Sequence, residues 1–240
     1  AVFFPVFARC SARGDTQGFR QACADGLRQI IVLLLPPTAL TFALAEPIVR
    51  VLYERGAWDP AQTPLVAATL RMFALGLVGD GAVLLLMRAF FSLRMPWIPA
   101  FAGLLNLGVN VLVAALVHGS FGAPGIALST SIASAVMFAA MYVTLHRRLG
   151  GLPGGQLVAA FLRALGAAVA ATAIGWALAT VTMGYLGHGA PAELLAIAIA
   201  AGVTYGIYLW VVVRLKLMDP STIGLLFRRG VPPNAPAPPR

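Results

Sequence analysis

Residues 47–60 read PIVRVLYERGAWDP and form the densest cluster of charge between two long apolar runs of the chain. Apolar side chains recur here at helical spacing, which predicts a short helix lying along a membrane surface. These side chains are Ile48, Val49, Leu52 and Tyr53. Glu46 and Arg50 lie four residues apart, a spacing that lets two side chains meet on one helix face. We therefore expect a local ion pair at the outer surface.

The second part of this stretch predicts a tight turn and the start of another helix. Gly56 suits a left-handed helix end, because glycine has no side chain to clash in that conformation. Asp59, Pro60 and Gln62 are typical of a helix cap, a first-turn proline and a capping-box partner. The segment therefore joins two helices at a membrane surface.

The composition excludes an ordinary soluble domain. Hydrophobic residues make up 60% of the chain and charged residues 10%, and the mean hydropathy is +0.87. Soluble domains carry roughly a quarter charged residues. The net charge of +9 does not indicate nucleic-acid binding, because the arginines lie in loops between apolar runs. We expect membrane lipids, and no nucleic acid, among the partners.

Apolar runs of about 20 residues, the length that crosses a bilayer, occur six times. The predicted spans cover residues 27–45, 64–87, 97–117, 122–145, 157–183 and 192–213. Residues 1–8 are also apolar and predict the end of a preceding span whose beginning has been cut away. The expected fold is therefore an all-α, polytopic membrane helix bundle with six complete transmembrane helices plus the end of another.

The chain divides into four predicted regions. After residues 1–8, residues 9–149 hold four spans and begin with a polar, partly helical loop over 9–28. Residues 150–214 hold a Gly-rich linker and two Ala- and Gly-rich spans, which we interpret as chargeless. Residues 215–240 form a proline-rich tail that is expected to be partly disordered. Pro36 and Pro37 predict a kink in the first span, tolerated where neighbours satisfy the freed carbonyls.

Basic residues are distributed very unequally between the two sides. Six spans place residues 9–28 and the C-terminal tail on the same side, which receives 14 of the 17 Lys and Arg residues. The opposite side receives only Arg50 and Arg55, and Arg71 lies within a span. Because cytoplasmic loops carry the excess of basic residues, we expect the first loop and the C-terminus to be cytoplasmic.

Asp80 and Arg71 are the charges placed well inside an apolar run. A charge near the bilayer centre costs roughly 2.5–3.5 kcal/mol, so such residues face a cavity or a partner. The two residues are nine apart, about 900° of helix rotation, and therefore point to opposite faces. Asp80 is either a packed polar contact or a cavity-lining residue with its partner on another helix. Arg71 either snorkels to the outer surface or contributes to a binding site.

Three further polar residues are candidate substrate contacts. Asn106 and Asn110 lie four apart on one face of the third span and serve either as interhelical hydrogen-bonding residues or as ligands. Arg88 and its neighbour Arg94, close to a helix end, are either topology determinants or contacts for a diphosphate or an anionic headgroup.

No pattern of residues supports catalysis. Asp80 is the one acidic residue of eight that we place inside the membrane, and no paired carboxylates, Cys–His pair, Ser–His–Asp set or metal cluster occurs. Cys10 and Cys23 both lie in the first basic loop, so no disulfide is expected. We therefore expect no enzyme, no catalytic residue, no metal and no cofactor. A chain of kinked membrane helices with sparse buried charge is most like half of a secondary transporter.

Three motifs resemble one family in order along the chain. PIVRVLYERGAWD at 47–59 resembles the P-I-V-x-L-x-F-E-R-G-A-F-D signature of the lipid II flippases, the MurJ or MviN family of the multidrug/oligosaccharidyl-lipid/polysaccharide exporter superfamily. RAFFS at 88–92 resembles the family's R-A-F-Y-A. GAPGIALSTS at 122–131 resembles its G-x-x-G-L-A-L-A-T-S. The resemblance implies that the chain corresponds to helices nine to fourteen of this family.

The resemblance also implies a function. The family moves lipid II, a polyprenyl-diphosphate-linked peptidoglycan precursor, across the bacterial inner membrane by alternating access of two helical lobes. Here the first four spans would belong to the C-terminal lobe, and the last two would accompany a groove for the lipid tail. The N-terminal lobe would be a partner missing from this chain, together with the family's essential arginines. The alternatives are a flippase for another polyprenyl-linked saccharide and a non-transporting membrane scaffold of cell-wall synthesis.

Overall fold

The computed structural model of the protein describes residues 3–54, 57–186 and 190–215, and the regular structure within these ranges is helical. The helices are α1 (Phe3–Ala12), α2 (Thr16–Ala43), α3 (Ala45–Tyr53), α4 (Thr63–Ser92), α5 (Trp97–Leu149), α6 (Gly154–Leu186) and α7 (Ala190–Arg214). A short 3-10 helix, Pro60–Gln62, precedes α4. Six helical segments are long and apolar enough to cross a membrane, as predicted.

The first of these spans begins earlier than predicted. The polar stretch at 9–28, predicted to be a partly helical loop, is helical over most of its length, because α1 runs to Ala12 and α2 starts at Thr16. Asp15 caps α2 by accepting a hydrogen bond from the backbone N–H of Gly18, at 2.8 Å. Phe19 and Cys23 are then buried on one face of its first turns. Arg20, one of the arginines that suggested a loop, lies between these two buried positions, so charge content masked a helix with one apolar face.

The two prolines lie inside α2, and a neighbouring helix satisfies one of the carbonyls that they free. Pro36 has no N–H to donate to the carbonyl of Val32 four residues earlier. The hydroxyl of Tyr208, on α7, donates to that carbonyl at 2.6 Å. Tyr208 is only 1% exposed, which makes this hydrogen bond part of the core. A neighbouring helix thus satisfies this carbonyl, which is one of the ways in which a proline inside a span is tolerated.

Residues 47–60 form the predicted short helix and the predicted cap in their described parts. α3 is the short helix after the first span, and Glu46 pairs with Arg50 at 2.5 Å. Asp59 caps the 3-10 helix by accepting from the backbone N–H of Ala61, at 3.0 Å, with Pro60 in the first turn. The prediction of Gln62 as a capping-box partner is wrong, because its side chain makes no cap hydrogen bond. The predicted helix end at Gly56 lies outside the described residues.

The third and fourth spans are the two parts of α5, which we call α5a (Trp97–Gly119) and α5b (Phe121–Leu149). The backbone leaves helical geometry at Gly122, where φ is 57° and ψ is −135°. This region of conformational space is essentially restricted to glycine. α5b ends at Gly150, whose φ of 70° gives the left-handed helix end that glycine favours. Because α6 starts at Gly154, the predicted linker is shorter than expected.

The apolar core differs at the two ends of the bundle. At one end, α1, the start of α2, the end of α4 and the end of α5b pack around Phe7, Phe19, Phe90 and Leu145. At the other end, α2, α6 and α7 pack around Leu44 and a set of alanines. The predicted tail lies outside the described residues from 216 onward.

The two main basic segments share one end of the bundle. A Cβ atom on Gly150 would lie 2.8 Å from a terminal nitrogen of Arg20. Gly150 follows the basic pair Arg147 and Arg148, whereas Arg20 lies in the first turns of α2. The basic segment at 9–28 and the pair Arg147 and Arg148 therefore lie at the same end of the bundle, as the six-span topology requires.

Candidate functional site

Asp80 is held by α5b. Its carboxylate accepts a hydrogen bond from the hydroxyl of Ser134, a buried side chain on that helix. The predicted partner on another helix is therefore present within this chain. The two helices meet closely because Gly76 lies against Ser131, where a Cβ atom would come within 3.1 Å of the Ser131 Cα. Ser131 also donates to the carbonyl of Met72 at 2.6 Å.

Asp80 also lies on a face of α4 that no described element covers. Exposed side chains recur along this face every three or four residues, the spacing of one helical stripe. We call this stripe the open α4 face; it consists of Phe73, Leu77, Asp80, Leu84, Arg88 and Phe91. Asp80 and Arg88 thus lie on one apolar surface within a membrane span. Of the five predicted site residues, these two are brought together.

Asn110 links the two parts of α5. Its amide nitrogen donates to the hydroxyl of Thr130, on α5b, at 3.1 Å. Asn106 lies one turn earlier on α5a and is half-buried. The interhelical alternative considered for this pair is therefore realised at Asn110. Neither residue belongs to the open α4 face.

Arg71 lies away from the open α4 face and contacts α2 instead. Its Nε atom donates to the carbonyl of Phe42 at 3.2 Å. Phe42 is next to the last residue of α2, where carbonyls lack helical partners and a cation is favourable. Within the described part of the chain the guanidinium forms no ion pair. Most of its N–H donors therefore remain available.

Two apolar depressions follow one another along the bundle between α2, α4 and α6. The first, of about 480 Å³, is lined by Leu27, Leu75 and Phe161, with Tyr142 of α5b beside it. The second, of about 660 Å³, is lined by Leu75, Arg71, Thr172 and Trp176. Because Leu75 lines both, we call them together the lateral groove. The hydroxyls of Tyr142 and Thr172 are buried and have no hydrogen-bond partner in the described structure.

A polar cluster occupies the end of the bundle that carries α3. Arg50 lies between Glu46 and Glu193, with N–O distances of 2.5 Å and 3.6 Å. Glu54 accepts a hydrogen bond from Thr63 at 2.6 Å, and these residues line a cavity of about 320 Å³. In the described ranges no group of three or more acidic, histidine or cysteine side chains is placed to hold a metal ion. The cluster joins α3, α4 and α7.

Glu193 is the residue that the sequence interpretation missed. The last two spans are not chargeless, because Glu193 lies in the first turn of α7 and is 5% exposed. Glu193 is therefore a buried acid, whereas the predicted Asp80 is exposed on the open α4 face. The sequence did contain a signal for this residue, because Glu193 stands at the start of an Ala-rich span and a buried carboxylate requires a partner. Its partner, Arg50, lies more than 140 residues away in the chain and is not apparent from local spacing.

Comparison with known proteins identifies the family. The model of the lipid II flippase MurJ family matches residues 1–198 of the chain. The chain belongs to the lipid II flippase MurJ family. Six candidate spans and this membership make it a multi-pass protein of the bacterial inner membrane.

Curated relatives agree with the MurJ assignment. The probable lipid II flippase MurJ of Synechocystis sp. is 30% identical over 174 residues, which are 72% of this chain and 33% of that protein. That of Buchnera aphidicola subsp. Acyrthosiphon pisum is 30% identical over 147 residues, 61% of this chain and 29% of that protein. The chain spans about a third of the length of these MurJ relatives.

A solved MurJ structure has the same fold. The lipid II flippase MurJ in its inward closed conformation superposes with a TM-score of 0.69 at 20% sequence identity. The match covers 90% of this chain and 43% of that one. The all-helical membrane bundle is thus the MurJ arrangement.

Proposed function

We propose that the protein carrying this chain moves lipid II across the membrane by alternating access between two helical lobes. The observation that carries the proposal is the MurJ family match over residues 1–198. In this proposal residues 9–149 supply part of the C-terminal lobe, and residues 150–214 supply the two additional helices. The other lobe comes from elsewhere in the protein. Transport of this kind makes and breaks no covalent bond, so no catalytic residue is assigned.

The open α4 face is proposed to look toward the substrate and the opposite lobe. Arg88 is a cation on this face and suits the diphosphate of lipid II, because a guanidinium donates several hydrogen bonds to phosphate oxygens. Asp80 accepts from Ser134, which leaves acceptor capacity on its carboxylate. We assign that capacity to a basic residue of the other lobe. An exposed intramembrane carboxylate is costly unless such a partner exists.

The smaller part of the lateral groove, lined by Leu27, Leu75 and Phe161, is proposed to hold the polyprenyl chain. Its lining is almost wholly apolar along the α2, α4 and α6 surfaces, as a hydrocarbon chain requires. α6, which lines one side, is one of the two helices that the resemblance associates with the lipid tail.

The orientation is proposed from charge. The end of the bundle that carries Arg20, Arg147 and Arg148 faces the cytoplasm in this proposal, because it holds most of the basic residues. The C-terminus then lies in the cytoplasm, and α3 lies at the outer surface. Glu46 and Arg50 would form their ion pair there.

The proposed function is tested by complementation in cells depleted of their own lipid II flippase. The full-length wild-type protein should prevent lysis and lipid II accumulation. Asp80→Asn and Arg88→Gln should each reduce transfer of labelled lipid II in reconstituted vesicles by about tenfold or more, the cost of one charge-assisted hydrogen bond. Arg163→Gln, an exposed cation on α6 outside the open α4 face, is the matched control.

Two results would redirect the proposal. Rescue without any change in lipid II levels indicates a flippase for another polyprenyl-linked saccharide. Full rescue by Asp80→Asn and Arg88→Gln, both inserted at wild-type levels, indicates a scaffold that does not transport.

A further inference from the structure

Arg71 is a cation inside a membrane span that the open α4 face does not use. α4 contains 30 residues and is about 45 Å long, whereas the hydrocarbon core is about 30 Å thick. Arg71 follows the first residue of α4 by eight positions, or about 12 Å. In a centred helix it lies about 5 Å inside the hydrocarbon boundary, within reach of lipid phosphates for an arginine side chain.

The surroundings of Arg71 differ from those of an arginine that simply reaches toward water. It lines the wider part of the lateral groove, together with Thr172 and Trp176. One N–H contacts the carbonyl of Phe42, which fixes the side chain against α2. The described residues give the guanidinium no carboxylate within ion-pairing distance. The charge is thus oriented and not neutralised by this chain.

Thr172 provides a second polar group in the same part of the groove. It is 5% exposed, and its hydroxyl has no hydrogen-bond partner in the described structure. Buried hydroxyls are normally paired, and an unpaired one costs free energy. The remainder of the lining is apolar, including Leu165, Val169 and the ring of Trp176. An occupant must therefore combine an anionic acceptor with a hydrocarbon chain.

We propose that this part of the groove binds one monoanionic phospholipid from the leaflet on the α3 side. Its phosphate pairs with Arg71 and accepts from Thr172, while an acyl chain lies along the groove toward Leu75. The guanidinium balances the single negative charge of the phosphodiester, and the hydroxyl donates one hydrogen bond to it. The volume of about 660 Å³ falls in the range of about 300–1,000 Å³ common for ligand sites.

The site is tested by lipid titration of the full-length protein in native mass spectrometry. Phosphatidylglycerol is the probe. Diacylglycerol, which has acyl chains but no phosphate, measures the contribution of the chain, and inorganic phosphate measures that of the phosphate. We expect Arg71→Gln to weaken the tightest phosphatidylglycerol site about tenfold and Thr172→Val about threefold. Arg163→Gln should leave that site unchanged. Diacylglycerol should bind weakly, and inorganic phosphate should not displace phosphatidylglycerol.

The position of the lipid is read from Trp176, which is half exposed in the groove. Brominated phosphatidylglycerol should quench tryptophan fluorescence in the wild type and less so in Trp176→Phe. If Arg71→Gln does not give a monodisperse protein, the phosphatidylglycerol affinities of Arg71→Lys and Thr172→Val test the site instead. Arg71→Lys should retain binding within about threefold, since it keeps the charge.

Three results overturn the inference. The first is equal phosphatidylglycerol affinity in wild type, Arg71→Gln and Thr172→Val. The second is equal binding of diacylglycerol and phosphatidylglycerol, which means that only the chain is recognised. The third is displacement of phosphatidylglycerol by undecaprenyl diphosphate at much lower concentration, which assigns the site to the transported lipid.

Discussion

At the scale of single residues, the bundle is joined by a few polar contacts that each meet a specific requirement. Tyr208 supplies the donor that Pro36 lacks, and Ser134 supplies a donor to Asp80. In an apolar environment an unpaired carbonyl or carboxylate is expensive, because no water replaces the missing partner. These contacts therefore have two effects: they determine which helices are neighbours, and they stabilise the bundle.

Removing the Tyr208 hydroxyl should destabilise the protein without changing its shape. Tyr208→Phe leaves the Val32 carbonyl unpaired in the core and should cost about 1–2 kcal/mol. The measurement is the free energy of unfolding in detergent by denaturant titration. Tyr205→Phe is the matched control, because Tyr205 lies on the same helix and is exposed. Equal losses in the two variants would contradict the assigned role.

At the scale of helices, close crossings depend on small residues. α6 and α7 pack with many alanines between them, and Gly175 lies directly against α7. A Cβ atom there would lie 2.8 Å from the backbone oxygen of Ala200. Small residues allow backbones to approach, which is the main source of helix association in lipid. The spacing of α6 and α7 at this crossing therefore depends on Gly175 as well as on the alanines.

Gly175→Ala should separate α6 from α7. Because backbone cannot yield as a flexible side chain does, we expect a loss of about 1–3 kcal/mol in the free energy of unfolding. Gly166→Ala, on the same helix with nothing within 4 Å, should be neutral or slightly stabilising. If both alanine variants unfold at the same denaturant concentration, the crossing tolerates more than its geometry indicates.

The spans were predictable from the sequence because hydropathy over about 20 residues is a local property. The boundary near Thr16 was missed because Arg20 lies between buried Phe19 and Cys23, and composition alone averages over both faces. Glu193 was missed for another reason. Its partner Arg50 is brought close only by the packing of α3 against α7. A single sequence does not show which distant residues lie close together in space.

At the scale of the whole molecule, charge separates the two ends of the bundle. The basic segments around Arg20 and Arg148 lie at one end, whereas the acidic cluster with Glu46 and Glu193 lies at the other. The excess of basic residues on one side is the usual determinant of topology. The six spans are therefore expected to have one fixed orientation.

Accessibility of introduced cysteines tests this orientation. In a cysteine-free background of the full-length protein, Arg13→Cys and Arg148→Cys should react with an impermeant thiol reagent only after cells are permeabilised. Asp59→Cys and Gln62→Cys, exposed at the opposite end, should react in intact cells. Labelling of Arg13→Cys and Arg148→Cys from opposite sides would be incompatible with six antiparallel spans.

The hydrogen bond from Tyr208 to Val32 also has a consequence for biosynthesis. The two residues are 176 positions apart, so at about 5–20 residues per second α2 emerges from the ribosome roughly 10 to 35 s before Tyr208. During that interval the Val32 carbonyl depends on a temporary donor, such as water or the insertion machinery. The hydrogen bonding of α2 is therefore complete only after α7 has been synthesised.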